Sequence, residues 1–274
     1  MKKLVRDGLA LGVLLAGSLI AFAATAEEQL LAAAKQGRTA EVARLVAEGA
    51  NVEGPARSGN QRAARLYARN SPLIVAAAGG YVDTVKLLLD HGAKVQPGGE
   101  GAENALTAAA ESGHIAVVVL LLDRGAPMEA RNATYSTALL MATGQLEMMR
   151  LLIARGANVN VRNKYGNAPL NAAAYAGNAE AVQLLLAHGA DVNNRTRFGV
   201  TPLGAAACDA LPEHTSEADR VAVVKLLLAH GADPSAEDRF GHSPRNCALA
   251  REIAAMAKVI DAAVQQQTTP SSQR

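Results

Sequence analysis

The chain has no tryptophan, and its 274 residues include only 5 Tyr and 3 Phe, so aromatic rings cannot build its interior. With 50% of the residues hydrophobic, alanine and leucine are left to form the core. Two cysteines fall short of a disulfide framework or a four-thiolate zinc site, and one bridge is the maximum. A formal charge of +2 lacks the clustered excess of Lys and Arg on which generic nucleic-acid or membrane-surface affinity depends, so any basic patch is local. Charged residues at 19%, with ordinary Gly and Pro content, argue against wholesale disorder. Absent too are the Gly-x-Ser-x-Gly elbow, the phosphate-cradling Gly-x-x-x-x-Gly-Lys, a dinucleotide fingerprint and the His-Glu-x-x-His helix. No catalytic residue, metal or cofactor is therefore expected.

The first residues form a separate unit. Lys2, Lys3 and Arg6 precede an apolar run from Leu9 to Phe22, and Ala24-Thr25-Ala26 and Glu27-Glu28 follow it. A positive end, a short membrane-partitioning helix and small residues at a peptidase site are the layout of a secretory signal peptide. The run of about 14 residues is shorter than the ~20 a membrane span needs. Residues 1–26 are thus expected to be removed by cleavage between Ala26 and Glu27, leaving 24 basic and 24 acidic residues in a neutral mature chain. The expected address is the periplasm, or the exterior if the source is not Gram-negative, with no membrane attachment after processing.

What is abundant is repetition. Gly-Ala pairs recur at Gly49-Ala50, Gly92-Ala93, Gly125-Ala126, Gly156-Ala157, Gly189-Ala190 and Gly231-Ala232, with spacings of 43, 33, 31, 33 and 42. All but the first follow an aliphatic triplet such as Leu87-Leu88-Leu89 or Leu184-Leu185-Leu186, which reads as one helix per repeat. Ser71-Pro72-Leu73, Asn104-Ala105-Leu106, Ala168-Pro169-Leu170 and Thr201-Pro202-Leu203 read as starts of a preceding helix, because Ser, Thr or Asn caps free amides and Pro suits the first turn. Gly80, Gly113, Gly144 and Gly177 are expected to end that first helix in a left-handed conformation. A helical hairpin results. Each repeat buries its apolar face only against its neighbours.

The unit from Tyr165 to Asn193 resembles an ankyrin repeat over its whole length, and the resemblance extends over nearly all of residues 27–264. It implies an all-α solenoid of helix-turn-helix units with projecting hairpin loops. An N-terminal cap would occupy 27–70, repeats would start near 71, 104, 137, 168 and 201, a C-terminal cap would occupy 243–264, and 265–274 would be a disordered tail. The family's usual His after Thr-Pro-Leu is replaced by Ile74, Thr107, Leu140, Asn171, Gly204 and Asn246, which removes a source of inter-repeat hydrogen bonds. Repeat three is two residues short, the first loop is enlarged over 53–70, and nine extra residues fall between Cys208 and Arg220.

Few side chains are left for chemistry. His91, His188 and His230 each precede a Gly at a helix end, where a partly positive ring suits exposed carbonyls, and His114 suits turn packing. Cys208, Asp209, His214, His242 and Cys247 gather in the last two repeats without a short ligand pair, so they make a poor zinc site. Cys208 and Cys247 lie on first helices of adjacent repeats. Helix axes ~8–10 Å apart against the roughly 4.4–6.8 Å needed between bridged Cα atoms favour free buried thiols, with a bridge as the alternative.

In ankyrin-like proteins the hairpin tips and the concave first-helix face bind partners. Here the tips carry Arg131, Arg162, Lys164, Arg195, Arg197 and Arg239, interleaved with Tyr135, Tyr165, Phe198 and Phe240, and Tyr175 lies near the end of a first helix. Arg57, Arg62, Arg65 and Arg69 extend the basic row into the first loop. Arg and aromatic side chains supply anchors at interfaces. The expected function is a non-catalytic protein-binding module of the cell envelope, monomeric, whose partner offers an acidic surface and is not a nucleic acid. The alternatives are an inhibitor or immunity-type protein that blocks a toxin or envelope enzyme, and a hydrolase or redox-protective enzyme built on the C-terminal Cys and His cluster.

Overall fold

The computed structural model describes residues 24–54, 71–95, 102–208 and 215–268, and every regular element among them is a helix. The apolar leader up to residue 23, Arg57, Arg62, Arg65 and Arg69, and Asp209 and His214 lie outside the described residues. Helices come in consecutive pairs: α1 (Ala26–Lys35) with α2 (Thr39–Ala47), α3 (Pro72–Ala78) with α4 (Val82–Asp90), α5 (Ala105–Glu111) with α6 (Ile115–Asp123), and α7 (Ala138–Met141) with α8 (Leu146–Ala154). They continue with α9 (Pro169–Tyr175) and α10 (Ala179–Ala187), α11 (Pro202–Cys208) and α12 (Glu217–Ala229), and α13 (Pro244–Ala250) and α14 (Ala254–Thr268). First helices pack on first helices and second on second, which makes the solenoid.

Local chemistry sets the ends. The first free amides are satisfied by side chains one residue outside the helix: Ser71 Oγ accepts from Ile74 N–H, Asn104 Oδ1 from Thr107 N–H, Thr201 Oγ1 from Gly204 N–H and Ser243 Oγ from Asn246 N–H. At the far end of every second helix except α14 a Gly-Ala pair closes a wide turn. Gly189 takes φ +81°, and the next amide, Ala190 N–H, reaches back to Leu185 O at 3.0 Å. The rings of His91, His188 and His230 donate through Nδ1 to the carbonyls of Leu87, Leu184 and Leu226 at 2.8–2.9 Å. His114 Nε2 lies 2.9 Å from Ala78 O of the preceding repeat, so this ring is spent on a helix end.

The core is thin and periodic. Ala76-Ala77, Ala109-Ala110, Ala173-Ala174 and Ala206-Ala207 are fully buried, so first helices approach closely. Of each aliphatic triplet only the central residue, Leu88, Leu121, Leu152, Leu185 or Leu227, is fully buried, and its neighbours are half-buried against the same core. A turn of 100° per residue allows one position of three to point straight at the layer behind. Polar clips join repeats. Asn160 accepts from Asp191 N–H at 2.8 Å and donates to Gly189 O at 2.9 Å, and Asn193 makes the same pair of bonds to Asp233 N–H and Gly231 O.

Four sequence expectations need correction. Cys208 and Cys247 are bridged, with Cα atoms 4.7 Å apart, and no free cysteine remains. The axis spacing misled because Cα atoms stand ~2.3 Å off each axis, which brings facing positions several ångströms closer than the axes. Gly144 is not left-handed, unlike Gly80, Gly113 and Gly177. The two missing residues leave α7 a single turn, which closes with Gln145 N–H on Ala142 O. Residues 265–268 are not tail but the last turn of α14. The lost family His does not cost repeat four its inter-repeat bond, since Asn171 Oδ1 accepts from Asn194 Nδ2 and Asn171 Nδ2 donates to Val200 O.

Tyr135 takes φ +60°, the conformation that Gly166, Gly199 and Gly241 take at φ 78–81° in the other tips. Such a conformation costs a non-glycine residue roughly 1–2 kcal/mol, set against the ~0.5–1 kcal/mol of extra chain entropy glycine loses on folding. Tyr135→Gly is expected to raise the unfolding free energy by up to about 1 kcal/mol in urea titrations. Leu185→Ala, which touches no tip, is expected to lower it by about 2–5 kcal/mol in the same assay.

Candidate protein-binding surface

Four successive tips share one construction. In three of them the first residue places a side-chain oxygen where it accepts backbone N–H groups two and four residues on. Asn132 Oδ1 accepts from Thr134 and Ser136, Asn163 Oδ1 from Tyr165 and Asn167, and Asp238 Oδ1 from Phe240 and His242, all at 2.8–3.1 Å. In the third of these tips Thr196 Oγ1 accepts from Val200 N–H alone. This Asx-type geometry closes a five-residue turn without a strand. Adjacent tips are then joined through the backbone: Lys164 N–H donates to Thr134 O, Arg197 N–H to Tyr165 O and Arg239 N–H to Phe198 O. These bonds place Lys164-Tyr165-Gly166, Arg197-Phe198-Gly199 and Arg239-Phe240-Gly241 in register as a repeated cation, ring and glycine.

The six basic candidates divide into two sets. Arg131 Nη1 donates to Arg162 O at 2.9 Å, and Arg195 Nη1 donates to Glu237 O at 2.9 Å, so both guanidiniums fasten one tip to the next. Arg162 pairs with Asp191 at 3.4 Å. By contrast Lys164 stands 5.1 Å over the Tyr165 ring, and the side chains of Arg197 and Arg239 form no ion pair among the described residues. These three present uncommitted charge at matching positions.

The aromatic candidates also converge, with one exception. Phe198 and Phe240 stack with centroids 6.3 Å apart, although Phe240 remains 69% exposed. Tyr165, Tyr175 and Phe198, together with Val200, Ala172 and Ala205, line a groove of about 440 Å³ between the tips and the first helices, with Asn167, Asn171 and Thr196 at its polar edge. Rings about half exposed, beside a few fixed amides, suit insertion of an apolar side chain from a partner. Tyr135 stays exposed one tip away and does not line this groove.

Among the described residues the C-terminal Cys and His side chains do not assemble a metal site. Both sulfurs are consumed in the bridge, and His242 Nδ1 lies 3.0 Å from Asp238 Oδ2. Among the described residues no group of three His, Cys, Asp or Glu is placed to hold a metal ion. Burial alone would push the Asp238 carboxyl up, but the amides of His242 and Phe240 and the His242 ring outweigh it and hold it below its usual 3.8. At the other end, Ala26 and Glu27 are the first two residues of α1, whose cap is Thr25 with Glu28 reaching back. A cut between them would remove that cap.

Sequence reasoning missed the groove itself, because Asn167, Asn171 and Val200 carry no distinctive signal until the repeats are stacked. The two fates of the arginines were equally hidden, since Arg195 and Arg197 differ only in which side of the turn they leave.

Residues 30–132, 97–163 and 137–238 match the family model described as ankyrin repeats (3 copies). The human ankyrin repeat and KH domain-containing protein 1 is 33% identical over 136 residues, 49% of this chain, and the Drosophila melanogaster ankyrin repeat and KH domain-containing protein mask is 35% identical over 137 residues, again 49%. The match spans only 4% and 2% of those relatives' own length. Among solved structures, the human ASB11 ankyrin repeat domain superposes with a TM-score of 0.67 at 28% identity, covering 88% of this chain and 99% of that one. An ankyrin repeat domain from Acinetobacter baumannii gives 0.61 at 28% identity, covering 70% and 97%.

Because Asn132 and Asn163 do the work of Asp238 in other tips, Asp238→Asn is expected to change stability at neutral pH by less than about 0.5 kcal/mol, and Asp238→Ala to cost about 1–2 kcal/mol. The depressed carboxylate stabilises the tip above its ordinary value of 3.8, and that contribution disappears as the pH falls through the lower folded value. Thermal melts taken downward from 3.8 are expected to show a loss in the wild type that the Asn variant lacks.

Proposed function

Because the chain belongs to the ankyrin-repeat family, whose repeats serve in general as protein-interaction modules, we propose that it is an exported, non-catalytic binding protein of the cell envelope. It holds an acidic partner protein against the last three hairpin tips. The single observation that carries this reading is the aligned row of uncommitted Lys164, Arg197 and Arg239 beside Tyr165, Phe198 and Phe240, opening onto the 440 Å³ groove. Exposed rings give a desolvated anchor, and three cations on one edge steer an acidic surface toward it. Because the tips are cross-linked by backbone hydrogen bonds, little ordering entropy is lost on binding. Export is supported by the basic, apolar and small-residue order of residues 1–26, and a disulfide bridge suits an oxidising compartment.

A photo-crosslinking side chain at position 198 in intact cells is expected to capture a defined protein. Lys164→Glu, Arg197→Glu and Arg239→Glu together should lower the association rate with that protein by at least about tenfold and flatten its salt dependence. Arg150→Glu, on the exposed side of α8, should leave both unchanged. Equal capture by the triple variant would rule out this surface.

A further inference from the structure

The last repeat is attached differently from the others. Helices α3, α5 and α9 each bury five residues against their neighbours and α11 buries six, whereas α13 buries only Pro244 and Ala248. Arg245 stands where other first helices carry Leu73, Leu106, Leu139, Leu170 and Leu203, and it turns instead to Asp261. α13 packs beside α11, and the Cys208–Cys247 bridge fastens the two, together with the Arg251 guanidinium, which donates to the Cys208 carbonyl through Nε at 2.9 Å and through Nη2. The second helix of the cap has its own apolar hold, since Met256, Ala257 and Ile260 are buried with Val223, Val224 and Leu227. A covalent bond thus replaces missing burial at one helix of the stack.

The same bond is open to attack. Both cysteines are only half-buried, and both line a groove of about 530 Å³ whose other walls include Asp238, His242 and Arg251. From this combination we propose that Cys208–Cys247 is a thiol–disulfide exchange site for a dithiol protein, and that its reduction releases α13 and the tip before it while the rest of the solenoid stays folded. A thiolate of the donor attacks Cys247 Sγ and forms a mixed disulfide. The electron pair of the broken S–S bond leaves on Cys208 as a thiolate, beside whose carbonyl the Arg251 cation is held. The second donor thiol then attacks the donor sulfur of the mixed disulfide and expels Cys247 as a thiolate. Two donor protons end on Cys208 and Cys247, the donor becomes a disulfide, and two electrons have passed to this chain.

A bridge across 39 residues lowers the opening equilibrium of the segment it closes by roughly 30- to 1,000-fold. The probe is reduced thioredoxin added to the native full chain, followed by iodoacetamide and amide hydrogen exchange. Two alkylated cysteines are expected, with exchange over residues 244–253 accelerated by that factor and no change at Val182 and Leu185. A thioredoxin lacking its resolving cysteine is expected to be trapped on Cys247. A Cys208→Ser, Cys247→Ser variant should exchange like the reduced protein, and chemical reduction of the wild type gives the same readout if that variant does not fold. The proposal is overturned if thioredoxin leaves the native bridge intact, if the trapped adduct sits on Cys208, if reduction leaves exchange in 244–253 unchanged, or if all repeats open together.

Discussion

No helix pair in this chain can cover its own apolar face, and the rest of the structure follows from that. In the stack, with a pair on each side, α9 and α10 bury Leu170, Ala173, Ala174, Val182 and Leu185 completely. Stability is then a sum of small, similar interfaces rather than the property of one nucleus. The scarcity of aromatic residues is part of the same constraint. Repeats that approach through pairs of alanines leave no room for a ring between first helices, and the rings among the described residues stand at tips and helix ends, outside the core.

Holding the stack and recognising something else fall to different atoms. Tip shape is fixed by backbone amides and by short acceptors such as Asn163 and Asp238, and tip spacing by backbone bonds such as Arg197 N–H to Tyr165 O. None of these bonds uses the side chain of Lys164, Arg197, Phe198 or Arg239. Those side chains vary at little cost to the fold, which is the condition for a binding surface on an invariant frame. Arg131 and Arg195 illustrate the opposite case: their guanidiniums satisfy carbonyls of the next tip, and their charge is a by-product of needing a long, forked donor.

Whatever depended on period and local chemistry was legible in the sequence. The Gly-Ala pairs, the aliphatic triplets and the capping residues at Ser71, Asn104 and Thr201 each act within a few residues of their own position, so the order of helices and the solenoid could be read directly. What was hidden depended on distances between repeats. The bridge was misjudged because axis spacing says little about two Cα atoms on facing sides. The groove beneath Tyr165 and Phe198 exists only once repeats four and five are superposed. Repeat three shows an intermediate case, for its two missing residues and the Tyr135 in a slot that holds Gly in other tips are plain in the sequence, whereas the single-turn α7 and the φ of +60° at Tyr135 are features of the folded chain.

Recognition features are not spread evenly along the solenoid. Among the described residues the aligned cation and ring occur on the last three tips, and the equivalent slots one tip earlier hold Ala133 and Thr134. The apolar groove lies at the same end, as do the contact between the Asp238 carboxylate and the His242 ring and the one covalent link between repeats. An end repeat has a neighbour on one side only and opens first in a one-dimensional stack, so a surface placed there loses affinity to local opening unless the end is fastened. α13 buries too little to fasten itself, and the bridge from Cys247 to Cys208 holds it against the repeat that carries Phe198. Rings, charge and bridge thus share one end of the stack, where backbone bonds hold the tips together and the bridge holds α13 behind the tip that carries Arg239 and Phe240.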